Sequence, residues 1–336
     1  MKILLCSHFF SPSIGGIETL SLALAERFTI AGHEVVVLTR SPSESEDKFP
    51  YKVVREPSAL QLWKLVRWSD VVFHNNICAS MAWPLALVKR PWVIAHHTWI
   101  TGTDGSIGFR ERLKRRLVGR ARQIAVSHSL AADLGGNAVV IGACYDDKTF
   151  RIYPNRDRER DLVFVGRLVS DKGADMLIDA IGSLKQIGKQ LSLTIIGVGD
   201  EDERLRAQSK RLGVEDQIQF KGRLVGEALV QEISRHHVMV IPSRWKEPFG
   251  IVALEGLACG CAVIGSDGGG LPDAIGPCGL TFPNGNLDEL VNAIDRLVSS
   301  LELRKQLLDH APDHLTLFTQ ESVATRYLEV LQEAVQ

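Results

Sequence analysis

Long apolar runs are what this chain most clearly lacks. No stretch approaches the roughly 20 consecutive apolar residues that a membrane-spanning helix requires, so the chain is not expected to be integral to a membrane. Near its start Ile3-Leu4-Leu5-Cys6 is apolar, but His8 and the turn Ser11-Pro12-Ser13 interrupt it before a signal-peptide core is reached. An excess of charge of one sign is also missing: 39 Lys and Arg stand against 40 Asp and Glu, a formal net charge of −1. Without a global basic field, no nucleic-acid partner is expected. Cysteine is sparse. The six (Cys6, Cys78, Cys144, Cys259, Cys261 and Cys278) are scattered, and Cys259-Gly260-Cys261 has neither the spacing nor the partner pair of a zinc knuckle. Buried, reduced thiols in a cytoplasmic protein are the expectation, with contact at the inner face of the membrane left open.

What is present is an ordinary globular composition, 45% hydrophobic and 24% charged over 336 residues, enough for about two domains with full cores. Short apolar runs alternate with amphipathic stretches, the pattern of parallel α/β units. In the first half, strands are expected at Lys2–Cys6, Glu34–Leu38, Val71–His74, Trp92–Ala95, Gln123–Val126 and Ala138–Ile141. A helix is expected over Glu18–Ala31, with Leu20, Leu24 and Phe28 on one face and Gly32 ending it. The polar, proline-punctuated run Tyr153 to Arg160 reads as a linker, after which the pattern restarts. Strands are then expected at Leu162–Val165, Leu193–Ile196, Ile218–Phe220, Val238–Ile241 and Ala262–Gly265. The fold class that follows is α/β, with two Rossmann-like domains of parallel sheet over 1–155 and 156–319 and a cleft between them. A C-terminal helix, 320–336, is expected to pack back toward the first domain. Open sheets of this kind bind ligands at the carboxyl ends of their strands.

The run SRWKEPFGIVALEGLACGCAVIGSDGGGLPDAI carries the densest chemistry. It sets Glu247 and Glu255 around the turn Pro248-Phe249-Gly250, followed by an apolar helix start. Carboxylates accept hydrogen bonds from sugar hydroxyls, and N–H groups freed at a glycine turn and a helix start donate to phosphate oxygens. Gly166-Arg167 and Lys172-Gly173 flank a strand-to-helix loop, where a guanidinium fork and a mobile ammonium suit phosphate. Gly15-Gly16-Ile17-Glu18 reads equally as a tight turn with an acid in the first helical turn, or as backbone N–H groups brought against a phosphate or sugar. His74, His96 and His97 follow two strands, so at least one is expected to reach substrate, although a lone histidine is usually a structural one. Asp200-Glu201-Asp202 looks like a metal-binding D-x-D, but acids in a first helical turn need no metal, and Gly197-x-Gly199 lacks the third glycine of a dinucleotide fingerprint. FRERLKRRLVGRAR, Phe109 to Arg122, carries seven Lys and Arg against one Glu. It reads either as a surface helix whose apolar side (Phe109, Leu113, Leu117, Val118) enters the core, or as an interfacial helix meeting anionic lipid.

Four segments in order, GGIE, PWVIAHH, FVGRLVSDKG and EPFGIVALE, resemble the retaining glycosyltransferases of family 4, which have the GT-B fold. The resemblance covers nearly the whole chain. It implies that Glu247 contacts donor-sugar hydroxyls near the anomeric carbon and that Glu255 contacts the ribose. Backbone N–H groups at Phe249, Gly250, Ile251 and Val252 would hold sugar and phosphate. Arg167 and Lys172 would neutralise the diphosphate, Gly16 would approach it from the first domain, and His97 (or His96, one register away) would sit by the donor sugar. A nucleotide-diphosphate sugar is the implied co-substrate, with no cofactor and no metal. The expected acceptor is a glycan, lipid-linked or small molecule, such as a polysaccharide or cell-envelope intermediate. Two departures stand out: Gly142-Ala143-Cys144-Tyr145-Asp146 replaces the family's Asn-Gly-Val-Asp turn, and Asp273 stands where Glu is commoner. A sugar-nucleotide epimerase or phosphorylase on the same fold, and a non-catalytic nucleotide-sugar-binding module, are the alternatives.

Overall fold

The structure is a computed structural model that describes all residues except 14, 44–47, 102–105 and 154–157. It divides into two units, Met1–Cys144 with Gln320–Gln336, and Tyr145–Thr319. Among the described residues of the first unit, seven strands form one sheet: β1 (Lys2–Ser7), β2 (Glu34–Thr39), β3 (Lys52–Arg55), β4 (Val71–Asn75), β5 (Trp92–His96), β6 (Arg122–Ala125) and β7 (Val139–Val140). Their order is β3-β2-β1-β4-β5-β6-β7, and every neighbouring pair is parallel. Parallel strands require crossovers that cover both faces of the sheet, so the central strands are apolar on both sides. In β1, Ile3 and Leu5 join the core on one face, while Leu4 and Cys6 join the core on the other.

The second unit has β8 (Arg160–Val165), β9 (Leu193–Ile196), β10 (Ile218–Phe220), β11 (His236–Ile241), β12 (Ala262–Ser266) and β13 (Gly279–Phe282). Their order, β10-β9-β8-β11-β12-β13, is again all parallel. Helices cover the sheet with amphipathic faces. Leu287–Ser299 is typical: Leu290, Ala293, Ile294 and Leu297 are buried at helical spacing, and the Asn286 side chain accepts from the Glu289 N–H at 3.1 Å.

Several sequence expectations are corrected here. β3 and β13 were not expected. Both are four-residue edge strands, too short to show an alternating pattern, and pairing with β2 and β12 is what makes them strands. The run 138–141 contributes only Val139–Val140 to the sheet. The boundary between units falls before Tyr145 rather than after Asn155. Tyr145 N–H donates to Phe318 O, Phe150 is buried, and Arg151 pairs with Glu227, so this segment belongs with the second unit. Part of the expected linker, 154–157, lies outside the described residues. Arg158, just beyond it, donates to His236 O and Cys259 O at 2.6 Å each.

Helix Gln320–Val335 is in the first unit. Val323, Ala324, Tyr327, Val330 and Leu331 are buried against helix Gly16–Ile30 and the sheet, and Tyr327 meets Phe73 edge-on at 5.7 Å. Arg326 donates to Val140 O at 2.7 Å, tying the helix to the last strand. Removing the fully buried Tyr327 ring leaves a cavity that this packing cannot close. Tyr327→Ala is therefore expected to cost about 3–5 kcal/mol of stability, read as a lowered urea midpoint.

Candidate functional site

In both sheets the order reverses beside the first strand, between β1 and β4 and between β8 and β11. Successive crossovers leave on opposite faces at such a point and part the loops at the carboxyl edge. The sequence-singled residues of the second unit gather around that edge. β8 ends in Gly166-Arg167, and a 3-10 turn, Ser170–Lys172, leads through Gly173 into helix Ala174–Gln186. Gly173 has φ +71°, and a Cβ there would run into the Pro242 carbonyl, so only glycine lets this turn lie against the loop after β11. That closeness brings the Lys172 ammonium onto Glu247 Oε1. The same oxygen accepts from Ser243 Oγ at 2.8 Å, and Ser243 O in turn accepts from Ser266 Oγ at 2.7 Å.

The Glu247 backbone is fixed as well. Its carbonyl accepts from Gly270 N–H at 2.7 Å, and it forms a parallel bridge to Gly269. Arg244 forks onto both Asp175 oxygens at 2.7 and 3.0 Å, while the Arg244 N–H donates to Asp171 O. The loop 243–250 is thus clamped to the start of helix Ala174–Gln186. Gly250, at φ +109° and ψ 61°, turns the chain into helix Ile251–Ala258, which no side chain caps. The leading N–H groups of Ile251 and Val252 are the donors such a terminus offers to an anion. Phe249 is buried, its ring 5.4 Å from that of Phe318, so its side chain anchors the turn and only its backbone is available to a ligand.

One helical turn on, Glu255 is partly buried and has no cation partner among the described residues. Burial first, and the Asp146 carboxylate second, push its pKa up to about 7. Arg167 is exposed and lines a hollow of about 420 Å³ with Gly166, Ile196, Val198, Arg223 and Leu224. Arg223, Leu224 and Ser243 were missed by sequence reasoning. The position of Gly222-Arg223 directly after β10 was the available signal; Ser243 carried none.

In the first unit Gly16 opens helix Gly16–Ile30 and is exposed, and the Glu18 carboxylate folds back over Gly15. The three histidines separate. His74 is fully buried and accepts at Nδ1 from Trp92 Nε1 at 3.0 Å, which makes it a structural residue. His96 is also fully buried, with neither ring nitrogen bonded; burial, Lys114 and Arg115 push its pKa down to about 4. His97 differs, because its Nε2 lies 2.6 Å from Asn75 Oδ1. Asn75 Nδ2 donates to Ser21 Oγ at 2.6 Å and to Ile17 O at 3.3 Å, and Ser21 Oγ donates to Ser7 Oγ at 2.9 Å. With the amide committed on that side, Oδ1 must accept, so His97 carries its proton on Nε2 and presents Nδ1 as an acceptor. Burial, then His96, push its pKa down to about 3. Asn75, unremarked in the sequence, therefore links His97 to the helix start at Ile17. Two of the three acids in the D-x-D run are engaged locally: Glu201 pairs with Arg204, and Asp202 with Arg206.

Two open parallel sheets of this order, each with its glycine-bearing loop at the reversal point, make the chain a doubly wound α/β protein of Rossmann type. The family profile described as "Glycosyl transferases group 1" matches residues 146–314, and that of "Glycosyltransferase Family 4" matches 14–140. The chain belongs to this glycosyltransferase family and has its GT-B fold. It is 31% identical over 185 residues to the D-inositol 3-phosphate glycosyltransferase of Corynebacterium jeikeium, which covers 52% of this chain and 44% of that one. The match thus spans less than half of that relative's length. An uncharacterised glycosyltransferase of Methanocaldococcus jannaschii is 29% identical over 361 residues, covering 99% of this chain and 98% of that one. Among solved structures, Anabaena Alr3699/HepE in complex with UDP superposes with a TM-score of 0.83 at 21% identity, covering 99% and 100% of the two chains.

Two titrations test these environments. Because the Glu255 pKa is raised in the folded state from the ordinary 4.5 to about 7, its contribution to stability is complete below pH about 4.5 and is lost as pH rises through 7. Glu255→Gln should remove that slope, worth roughly 3 kcal/mol, from the pH dependence of unfolding between pH 5 and 8. Asn75→Asp places a carboxylate on His97, which favours the imidazolium. An NMR titration should find the His97 pKa well above that of the wild type.

Proposed function

We propose that this protein transfers a sugar from a nucleoside-diphosphate donor to a hydroxyl acceptor, with retention of anomeric configuration and without a divalent metal. The observation that carries the reading is the Lys172–Glu247–Ser243 cluster beside the uncapped start of helix Ile251–Ala258. A diphosphate at that helix start meets the N–H groups of Ile251 and Val252 and draws on the Lys172 ammonium as charge develops on the leaving group. Arg167, exposed beside the hollow, supplies a planar fork to the same charge. Glu247, kept in place by Ser243, accepts from donor-sugar hydroxyls near the anomeric carbon, and Glu255 accepts from the ribose. The acceptor oxygen bonds to the anomeric carbon on the face from which the phosphate departs, and the departing phosphate takes the acceptor's proton. Gly16 and His97 are assigned to the same transfer, the first through its backbone and the second as a neutral imidazole. UDP-sugars are the first donors to try, since the HepE protein was solved with UDP-glucose bound. A polysaccharide or cell-envelope glycan intermediate, lipid-linked or small, is the class of acceptor.

A panel of sugar nucleotides, scored by thermal stabilisation, should single out the donor by mass action. With that donor, Lys172→Ala and Glu247→Ala should each lower kcat/KM about 100-fold, and activity should survive EDTA. If both variants transfer sugar like the wild type, the assigned site is wrong. Isomerised sugar formed from donor without acceptor would identify an epimerase instead.

A further inference from the structure

Helix Phe109–Val118 does not bury the face that its sequence marks as apolar. Val118 is 1% exposed, but Leu117, Leu113 and Phe109 are 37%, 59% and 83% exposed. The helix is instead anchored on its other side. Arg115 donates to Ile100 O at 3.2 and 3.1 Å and to Asp133 O at 2.7 Å, and pairs with Asp133 Oδ2 at 2.7 Å. This is the use of an arginine that an inward-facing position demands, with four of its five N–H groups given to two carbonyls and a carboxylate. With Arg115 and Val118 turned inward, Phe109, Leu113 and Leu117 form an outward stripe at i, i+4 and i+8. Arg112, Arg116 and Arg120 run beside it, all exposed and none paired with an acid among the described residues. A surface helix of a protein free in water has no reason to turn three large apolar side chains outward while its arginine plugs the inward side.

The stripe continues into a groove of about 810 Å³, where Leu117 and Arg120 meet Trp83, Val88, Trp92 and Lys89. Trp83 and Leu87, near it, are 41% and 72% exposed. The groove opens where β5 and β6 begin, at the amino edge of the sheet. Gly16 and His97 lie at the carboxyl edge of the same unit. An occupant of the groove therefore leaves that edge open.

We infer that this face docks on a bilayer surface rich in acidic phospholipid, with the helix lying in the headgroup layer and an acyl chain entering the groove beside Trp83. The apolar stripe supplies the burial, and the flanking guanidinium groups supply the attraction to phosphates, the combination that an interfacial helix needs. A protein partner would require acids to meet three arginines in one row; an acidic leaflet meets them at any register. The occupant follows from this charge complementarity and does not depend on which donor sugar the protein uses.

The full chain should pellet with sucrose-loaded vesicles containing phosphatidylglycerol and not with phosphatidylcholine alone, and the bound fraction should fall as salt is raised. Arg112→Glu/Arg116→Glu should weaken binding at least about 25-fold, since each of the two cations lost at such a surface is worth about fivefold. Leu113→Glu should abolish it with acidic lipid still present. Phosphatidylglycerol with brominated acyl chains should quench tryptophan fluorescence, and less so in Trp83→Phe. Donor-induced thermal stabilisation should be unchanged in all of these exposed-face variants, which separates loss of docking from loss of fold or of the donor site. If a charge-reversed protein does not fold, Arg112→Gln/Arg116→Gln gives the same comparison. Absence of binding to acidic vesicles at low salt, salt-insensitive binding, or wild-type binding by Leu113→Glu would overturn the docking face. Equal quenching in Trp83→Phe would overturn the groove.

Discussion

In each unit the first strand lies between the second and the fourth, and most of what is specific about this protein hangs on that placement. Crossovers to the left and right of β1, and of β8, lie on opposite faces of the sheet. The loops at the carboxyl edge therefore part, and the chain there is not occupied with packing. Glycine is what lets the loops use the opening. Gly173 allows the turn after β8 to lie against Pro242, and Gly250 allows the chain after β11 to bend at once into a helix. A side chain at either place would push Lys172 away from Glu247 or displace the helix start from both.

The two acids of the EPFGIVALE segment, eight residues apart in sequence, end in opposite electrostatic circumstances. Glu247 has an ammonium and a hydroxyl on one oxygen, and its backbone is bonded to the glycine loop at 269–270. A charge taken from water and paired in this way is held in one orientation, because leaving either partner alone in a poorly solvated place is costly. Glu255 has burial without a cation, so its proton is retained to near neutrality. One carboxylate is positioned as an anion, and the other changes charge within the physiological range. In the first unit a chain of neutral groups, Ser7, Ser21, Asn75 and His97, has the corresponding task of orientation. It does so without a charge, which suits an imidazole that burial keeps neutral.

Much of the architecture was legible in the residues. Continuous apolar runs of four to six residues marked the central strands of both sheets, because a strand covered on both faces has no room for polar alternation. The edge strands β3 and β13 gave no such signal, since they are short and half covered. Position after a strand placed Gly166, Arg167 and Lys172 at a carboxyl edge, and glycine spacing placed the turn at Phe249-Gly250. The unit boundary was misread, because a polar run punctuated by a proline looks like a linker whichever domain its flanks pack on. Hydrogen bonding of Tyr145 and burial of Phe150 decide that, and neither shows in composition.

The sequence by itself determined the class of fold, the order of motifs and the residue types gathered near each strand end, since these follow from local periodicity and from chemistry carried by single side chains. Tertiary structure alone decided which of the three histidines stays partly exposed, that Ser243 and Asn75 hold the acid and the imidazole, and which way helix Phe109–Val118 faces. The reason is the same in each case. His74, His96 and His97 are equivalent by spacing, and Arg115 is one arginine among six in its run. What distinguishes them is a partner far away in the chain: Trp92 for His74, Asn75 for His97, Asp133 for Arg115. Long-range partners of that kind exist only once the sheet has brought its strand ends together.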